Sequence, residues 1–173
     1  DVVVLLTQDA IPADETLLAN LAAPFADARV AGVFGRQIAR SDCDVVRRRQ
    51  LEHWLTGRLT PARVQLDGVE LDSLSPLERY ERCVFDNVCS AVRRSVWERI
   101  PFARIAFGED VAWGRAVLEA GFAIAYEPSA AVIHSHRRPI AEVTRVSLQQ
   151  SCERGLSHGT LRRCASWSRR GTP

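Results

Sequence analysis

Lysine and methionine are absent from the 173-residue sequence, which also has few cysteines and no long apolar run. All 23 basic side chains are therefore arginine, and the net charge of +2 is too small to indicate nucleic acid as a partner. The five cysteines are odd in number and show no CxxC spacing, which argues against a disulfide framework or a structural zinc site. No run approaches the roughly 20 apolar residues that span a bilayer, and no signal peptide is visible. The sequence thus predicts a soluble cytoplasmic protein.

The first residues, DVVVLL, contain no initiator methionine and lie inside an apolar run. We therefore expect the chain to be a piece of a longer protein. Its length still allows one domain with a sizeable core, because a chain of about 150 residues buries roughly 70% of the surface it exposes when unfolded. The content of 46% hydrophobic and 25% charged residues indicates a globular domain.

Apolar strand patterns alternate with helix signals, which predicts an α/β fold. The run from Val2 to Leu6 is typical of a strand covered on both faces, and a second strand is predicted from Arg29 to Gln37. NVCSAVRRSVWERI predicts a short strand and then a helix, whereas FAIAYEP and AAVIHSH predict two short strands. Further helices are predicted after Pro12, from Ser41 to about Gly57, after Asp110 as far as a terminating Gly121, and from Pro139 to about Glu153.

Two segments lack a regular pattern. Residues 58 to 77 carry several proline, glycine and serine residues, and they predict a long loop of the kind that often acts as a functional lid. Residues 154 to 173 are rich in arginine and serine, and we expect them to form a frayed tail. The predicted domain accordingly spans residues 1 to 153.

Three groups of side chains stand near strand ends or a helix start, where an α/β fold gathers its ligands. Asp9 follows the first predicted strand, although a role in the turn is the alternative explanation. Glu109 and Asp110 precede a helix, where one carboxylate can serve as the N-cap and the other can take a proton from a hydroxyl. His134 and His136 would share one face of a strand, where they bind a metal or form a hydrogen-bonding wall.

The segments TQDAIP, VFGRQ, NVCSAVRRSVWERIPF and FGEDVAWGRAVLEAGFAIAYEPSAAVIHSH occur in this order. Together they resemble the C-terminal half of a family 2 glycosyltransferase of the GT-A fold, in the rhamnosyltransferase-like branch. The resemblance covers about residues 1 to 136 and implies a mixed sheet flanked by helices. It also implies that the N-terminal nucleotide-binding half of such a domain is missing here, so that the chain alone binds donor poorly and is inactive.

The resemblance implies roles for the charged groups. In that family a DxD-type motif binds the divalent ion that holds the donor diphosphate, and TQD would occupy its position, with Asp9 as the ligand and Thr7 replacing the first acid. His134, and after it His136, are implied as further ligands of Mn²⁺ or Mg²⁺. Asp110 is implied as the general base, with Glu109 as cap and orienting group.

Other residues are implied to line the acceptor side. Asn87 and Ser90 are the polar candidates, and Arg93 or Arg94 would meet a phosphate unless they form surface salt bridges. Trp113 is either a wall on which a sugar stacks or a core residue.

The implied activity is inverting transfer of a sugar from a nucleotide-diphosphate donor to a hydroxyl of a glycan or lipid-linked acceptor. Such transfer would serve the synthesis of bacterial cell-surface polysaccharide or glycolipid, and it allows peripheral association with the inner face of the membrane. The QxxRW signature of processive synthases is absent after HSH, which favours addition of one or a few sugars. Two alternatives remain: a catalytically inactive interaction module, and a metal-dependent hydrolase that uses the same acids and histidines to activate water.

Overall fold

The computed structural model describes residues 1–135, so His136, the helix predicted from 139 to 153 and the tail lie outside the described residues. The strands are β1 Val2–Leu6, β2 Ile11–Pro12, β3 Val30–Ile38, β4 Ala62–Val64, β5 Cys89–Arg93 and β6 Ala123–Ile133. The helices are α1 Leu17–Ala22, α2 Val45–His53, α3 Pro76–Cys83, α4 Arg94–Trp97 and α5 Glu109–Glu119. Short 3-10 turns occupy Ala23–Ala26, Leu55–Gly57 and Leu71–Ser73.

The six strands found within residues 1–135 form one mixed sheet, ordered β1-β5-β3-β6-β2, with β4 paired to β6. Strands β3 and β6 are parallel, and the other pairs are antiparallel. Because β1 and β3 both run antiparallel to β5, strands β1, β3 and β6 share one direction and end at the same edge of the sheet. The start of β5 lies there too. We call this edge, where the polar side chains described below meet, the site edge.

Apolar side chains form a core on each face of the sheet. On one face α1 buries Leu17 and Leu21 against β3 and β6. On the other face α3 and α5 cover a core that contains Phe85 and Trp113. A Cβ at Gly32 would lie 2.7 Å from the Trp113 ring, so glycine allows this side chain to rest directly on β3. A mixed α/β fold with helices on both faces of a mixed sheet is confirmed.

Local signals explain where the helices begin and end. Gly108, with a φ of +78°, immediately precedes α5, and Gly121, with a φ of +84°, lies just past its end as predicted. The sequence reasoning missed α3, although Ser75 and Glu78 form a capping box there with a proline at the first helical position. No helix within residues 1–135 is both long and apolar enough to cross a membrane.

Three predictions of local structure are wrong. Strand β1 is an edge strand with Val2, Val4 and Leu6 exposed by 37–43%, because a continuous apolar run indicates a strand but not what covers it. In place of the two strands predicted in FAIAYEP and AAVIHSH, one strand, β6, runs from Ala123 to Ile133, with an irregularity in its pairing between Glu127 and Ala131. Residues 58 to 77 are not a plain loop, since they contain β4, a 3-10 turn and the start of α3.

Candidate active site

The site edge brings Asp9 and His134 together. Asp9 lies in the turn after β1, His134 follows β6 directly, and Asp9 Oδ1 is 3.5 Å from His134 Nε2. The His134 N–H donates to the Ile38 carbonyl at 2.9 Å, which continues the pairing of β3 and β6 beyond the last residue of β6. The imidazole is buried, whereas the Asp9 side chain is 37% exposed. The pair is thus anchored by the sheet and accessible from the side of Asp9.

Arg40 ties the loops around this pair together. Its guanidinium donates a hydrogen bond to the Asp9 carbonyl oxygen, and its backbone N–H donates to Ser135 Oγ at 3.1 Å. The loop after β3 therefore holds both the turn that carries Asp9 and the segment that carries His134. The sequence reasoning missed Arg40, because nothing in its neighbourhood distinguishes it from the other arginines.

Two further polar side chains connect His134 to the start of β5. Gln37 Oε1 lies 2.9 Å from His134 Nδ1, and Gln37 Nε2 donates to Asp86 Oδ2 at 2.9 Å. The Val88 N–H donates to the other oxygen of Asp86, also at 2.9 Å. Burial, reinforced by the negative charge of Asp110, raises the pKa of Asp86 to about 6, although the Val88 and Gln37 hydrogen bonds oppose this. Neither Gln37 nor Asp86 was identified from the sequence.

Asp110 lies in the first turn of α5. Burial raises the pKa of its carboxyl, as does the charge of Glu109, while the backbone N–H groups of Val111 and Asn87 lower it. Asp110 Oδ1 accepts the Val111 N–H at 2.8 Å. The negative charge of Asp110 raises the pKa of Asp86, so the two carboxyl groups are electrostatically coupled. The helix N-cap is Gly108, so the expectation that Glu109 is the cap is wrong.

Asn87 and Ser90 lie near Asp110 but differ in access. Asn87 is partly buried at the site edge, and its backbone interacts with the Asp110 carboxylate. Ser90 is fully buried, with its hydroxyl 3.5 Å from Asn87 Oδ1. Ser90 therefore supports Asn87 and is not available for direct contact with an acceptor, which corrects its predicted role.

Arg93 and Trp113 lie where neither can bind a substrate at the site edge. Arg93 is at the opposite end of β5 from the site edge, where its guanidinium donates to the carbonyls of Phe25, Asp27 and Val30. Trp113 is 1% exposed, and its indole N–H donates to the Ile100 carbonyl at 2.7 Å. A phosphate contact by Arg93 and a sugar-stacking Trp113 are both excluded by these positions. Arg94, exposed at the same far end of β5, is likewise remote from the site edge.

The donor set allows a divalent ion at Asp9 and His134. Within residues 1–135 no cluster of three or more histidine, cysteine, aspartate or glutamate side chains is arranged to hold a metal. A carboxylate and an imidazole nevertheless suit an ion that takes its remaining ligands from substrate phosphates and water. Thr7 Oγ1, two residues before Asp9, is buried without a hydrogen-bond partner in the described structure.

A cavity of about 420 Å³ lies elsewhere, over the part of β6 that pairs with β4. Its walls include Phe34, Arg58, Val64 and Tyr126, and none of the predicted site residues. Part of the segment predicted to be a lid lines this cavity.

The chain is similar to one protein family and to two curated proteins. The family described as "Glycosyltransferase like family 2" matches residues 1–153. The O-antigen chain rhamnosyltransferase RfbN of Salmonella typhimurium is 27% identical over 172 residues, which are 98% of this chain and 50% of that protein. The O-antigen chain rhamnosyltransferase WbaN of Salmonella anatum is 28% identical over 175 residues, with the same shares covered. The chain thus spans about half the length of these curated relatives.

Proposed function

The chain belongs to glycosyltransferase-like family 2, and we propose that it carries the acceptor-activating part of an inverting glycosyltransferase. The donor is a nucleotide-diphosphate sugar, and the two relatives named as O-antigen chain rhamnosyltransferases support rhamnose as the sugar. The acceptor is a hydroxyl of a growing glycan or lipid-linked saccharide at the inner face of the membrane. The proposal rests on two pairs of side chains at one edge of the sheet. Asp9 lies beside His134, and Asp86 is electrostatically coupled to Asp110.

Asp110 is the group we assign to deprotonate the acceptor hydroxyl. Burial raises its pKa toward the range in which a carboxylate is a useful base near neutral pH. The N–H groups of Val111 and Asn87 interact with the carboxylate and oppose this rise in its pKa, and the Val111 hydrogen bond orients one carboxylate oxygen. The activated oxygen then attacks the anomeric carbon from the face opposite the departing diphosphate, which inverts the configuration at that carbon.

Asp9 and His134 are the residues we assign to the diphosphate end of the donor. They would hold Mn²⁺ or Mg²⁺, which when bound offsets the charge that develops on the leaving diphosphate. Their own contribution is position: the imidazole is fixed by the continuation of the β3 and β6 pairing, and the Asp9 turn is fixed by Arg40. Thr7 would tolerate the nearby diphosphate better than a second acid, because a hydroxyl adds no negative charge.

The base assignment is tested by Asp110→Asn in the complete protein, with Glu109→Gln as the matched control in the same helical turn. Transfer of the sugar from the nucleotide-diphosphate donor should fall by about 10²–10⁴-fold in kcat for Asp110→Asn, the usual contribution of a general base. Glu109→Gln should lower kcat by less than about tenfold, because its carboxyl acts on Asp110 only through its charge.

Two results would overturn the proposal. Undiminished transfer by Asp110→Asn would show that Asp110 is not the general base. It would favour the alternative that this chain is a catalytically inactive module of the complete protein. Release of free sugar at the same rate with and without acceptor would instead indicate the metal-dependent hydrolase. Both are measured in the same assay by chromatographic separation of donor, free sugar and elongated acceptor.

A further inference from the structure

Four side chains form a continuous chain of contacts along the site edge: Asp86 to Gln37, Gln37 to His134, and His134 to Asp9. We propose that Asp86, acting through the Gln37 amide, sets the tautomer of His134 so that Nδ1 carries the proton and the Nε2 lone pair points at the cation site beside Asp9. Asp86 and Gln37 are then positioning residues for a metal ligand. This inference rests on the proposed function, because it presumes that His134 binds the ion.

The direction of each hydrogen bond follows from the carboxylate at one end. An ionised carboxylate only accepts hydrogen bonds, so Gln37 must turn its NH₂ group toward Asp86. The Gln37 carbonyl oxygen then faces His134 Nδ1 at 2.9 Å, and a carbonyl oxygen also only accepts. The proton must therefore be on Nδ1, which in a neutral imidazole leaves the lone pair on Nε2.

The surroundings keep this chain from rearranging. Gln37 is 9% exposed and lies on β3, where its backbone is paired with Val132 of β6. Asp86 receives the Val88 N–H on its other oxygen at 2.9 Å, so both of its oxygens already accept hydrogen bonds. A metal-bound histidine usually donates its second ring N–H to a carbonyl or carboxylate, and an amide carbonyl backed by a carboxylate supplies such a partner here.

Replacing Asp86 with asparagine should reverse every donor in the chain without changing its shape. The Val88 N–H needs an acceptor, so the asparagine carbonyl must face it, and the new NH₂ group must face Gln37. Gln37 must then present its carbonyl to residue 86 and its NH₂ to His134. The ring nitrogen Nδ1 becomes the acceptor, the proton moves to Nε2, and the lone pair no longer points at Asp9.

The test compares wild type, Asp86→Asn and the control Asp67→Asn, which removes an exposed carboxyl far along the chain from these residues. Long-range ¹H–¹⁵N spectra of the metal-free protein with ¹⁵N-labelled histidine, recorded at pH 8, report which ring nitrogen is protonated. The His134 signal is identified among the four histidines by its loss in His134→Gln. We expect the Nδ1–H pattern in wild type and in Asp67→Asn, and the Nε2–H pattern in Asp86→Asn. An Nε2–H or doubly protonated ring in wild type, or an unchanged pattern in Asp86→Asn, would overturn the inference.

Mn²⁺ titration of the same proteins separates this inference from the proposed function. Asp86→Asn should weaken Mn²⁺ binding about 10–100-fold, the range typical for loss of a supporting hydrogen bond to a ligand, whereas Asp67→Asn should not change it. Equal affinity in wild type and Asp86→Asn would refute the relay while leaving the metal site intact. Absence of Mn²⁺ binding in wild type would refute the metal role, and the nitrogen spectra would still decide the tautomer.

A second variant guards against loss of folding in Asp86→Asn. Gln37→Leu removes the side-chain amide that links Asp86 to His134, so this variant should also weaken Mn²⁺ binding. Adding Asp86→Asn to Gln37→Leu should then change the affinity no further, because the path between the carboxylate and the imidazole is already interrupted. Additive losses in the double variant would show that Asp86 acts by another route.

Discussion

Replacing Asp86 with asparagine removes a carboxyl group whose pKa burial and the Asp110 charge raise from 3.8 to about 6. Because the folded protein binds this proton more tightly than the unfolded chain does, the group stabilises the fold most below about pH 4. That stabilisation is lost as the pH rises through about 6. At about 1.4 kcal/mol per pKa unit, the loss amounts to about 3 kcal/mol in the free energy of unfolding.

An amide does not titrate, so the variant should lack this part of the pH dependence. Urea unfolding at intervals from pH 4 to pH 7.5, which covers most of this transition, should show Asp86→Asn gaining about 2 kcal/mol relative to wild type. Asp67→Asn, which removes an exposed carboxyl, is the control for a simple change in net charge. A difference between Asp86→Asn and wild type that stays constant within about 1 kcal/mol over this range would refute the argument from burial.

Two further predictions concern the scaffold. Trp113→Ala should lower the free energy of unfolding by about 3–5 kcal/mol, because the ring is fully buried and lies 4.6 Å from the Phe85 ring. Trp97→Ala, at a ring that is 37% exposed, should cost clearly less in the same urea titration, and equal costs would contradict the core position of Trp113. Ser75→Ala should cost about 1 kcal/mol by removing the capping box of α3, with the exposed Ser95→Ala as the neutral control. A loss of equal size in both serine variants would argue against the cap.

The location of the site was predictable because it follows from strand direction. Asp9 and His134 each come directly after an apolar run, and strands that share a direction end at a common edge. Their shared edge therefore needed no information about side-chain packing, whereas the 3.5 Å between Asp9 Oδ1 and His134 Nε2 comes from the structure. The C-terminal end of α5 was also predictable, since the backbone conformation at Gly121 favours glycine, whereas the start of the helix at Glu109 after Gly108 was not.

The residues that support the site were not predictable in the same way. Gln37 and Asp86 are 49 positions apart, and their contact depends on which face of β3 carries Gln37 and on the register of β5. A polar residue at the end of the apolar strand VAGVFGRQI was the available signal for Gln37. Asp86 stands directly before Asn87, and only its burial distinguishes it from a turn aspartate.

Arg93 and Trp113 failed as predictions for reasons of topology. Strand β5 starts at the site edge, so Asn87, just before it, interacts with Asp110, while Arg93 lies at the other end of the strand. Trp113 lies four residues after the start of α5, on the face that packs against β3. A helix that presents an acid at its first turn necessarily directs other positions into the core.

The pairing of β3 with β6 also has a consequence for how the chain folds. Gln37 and His134 are separated by 97 positions, and they meet only when the first and last parts of the described chain have closed on each other. Closing so large a loop is slow and costs entropy before any contact rewards it. The cation affinity that we propose for Asp9 and His134 should therefore arise late in refolding, which would make a bound paramagnetic ion a reporter of completed assembly.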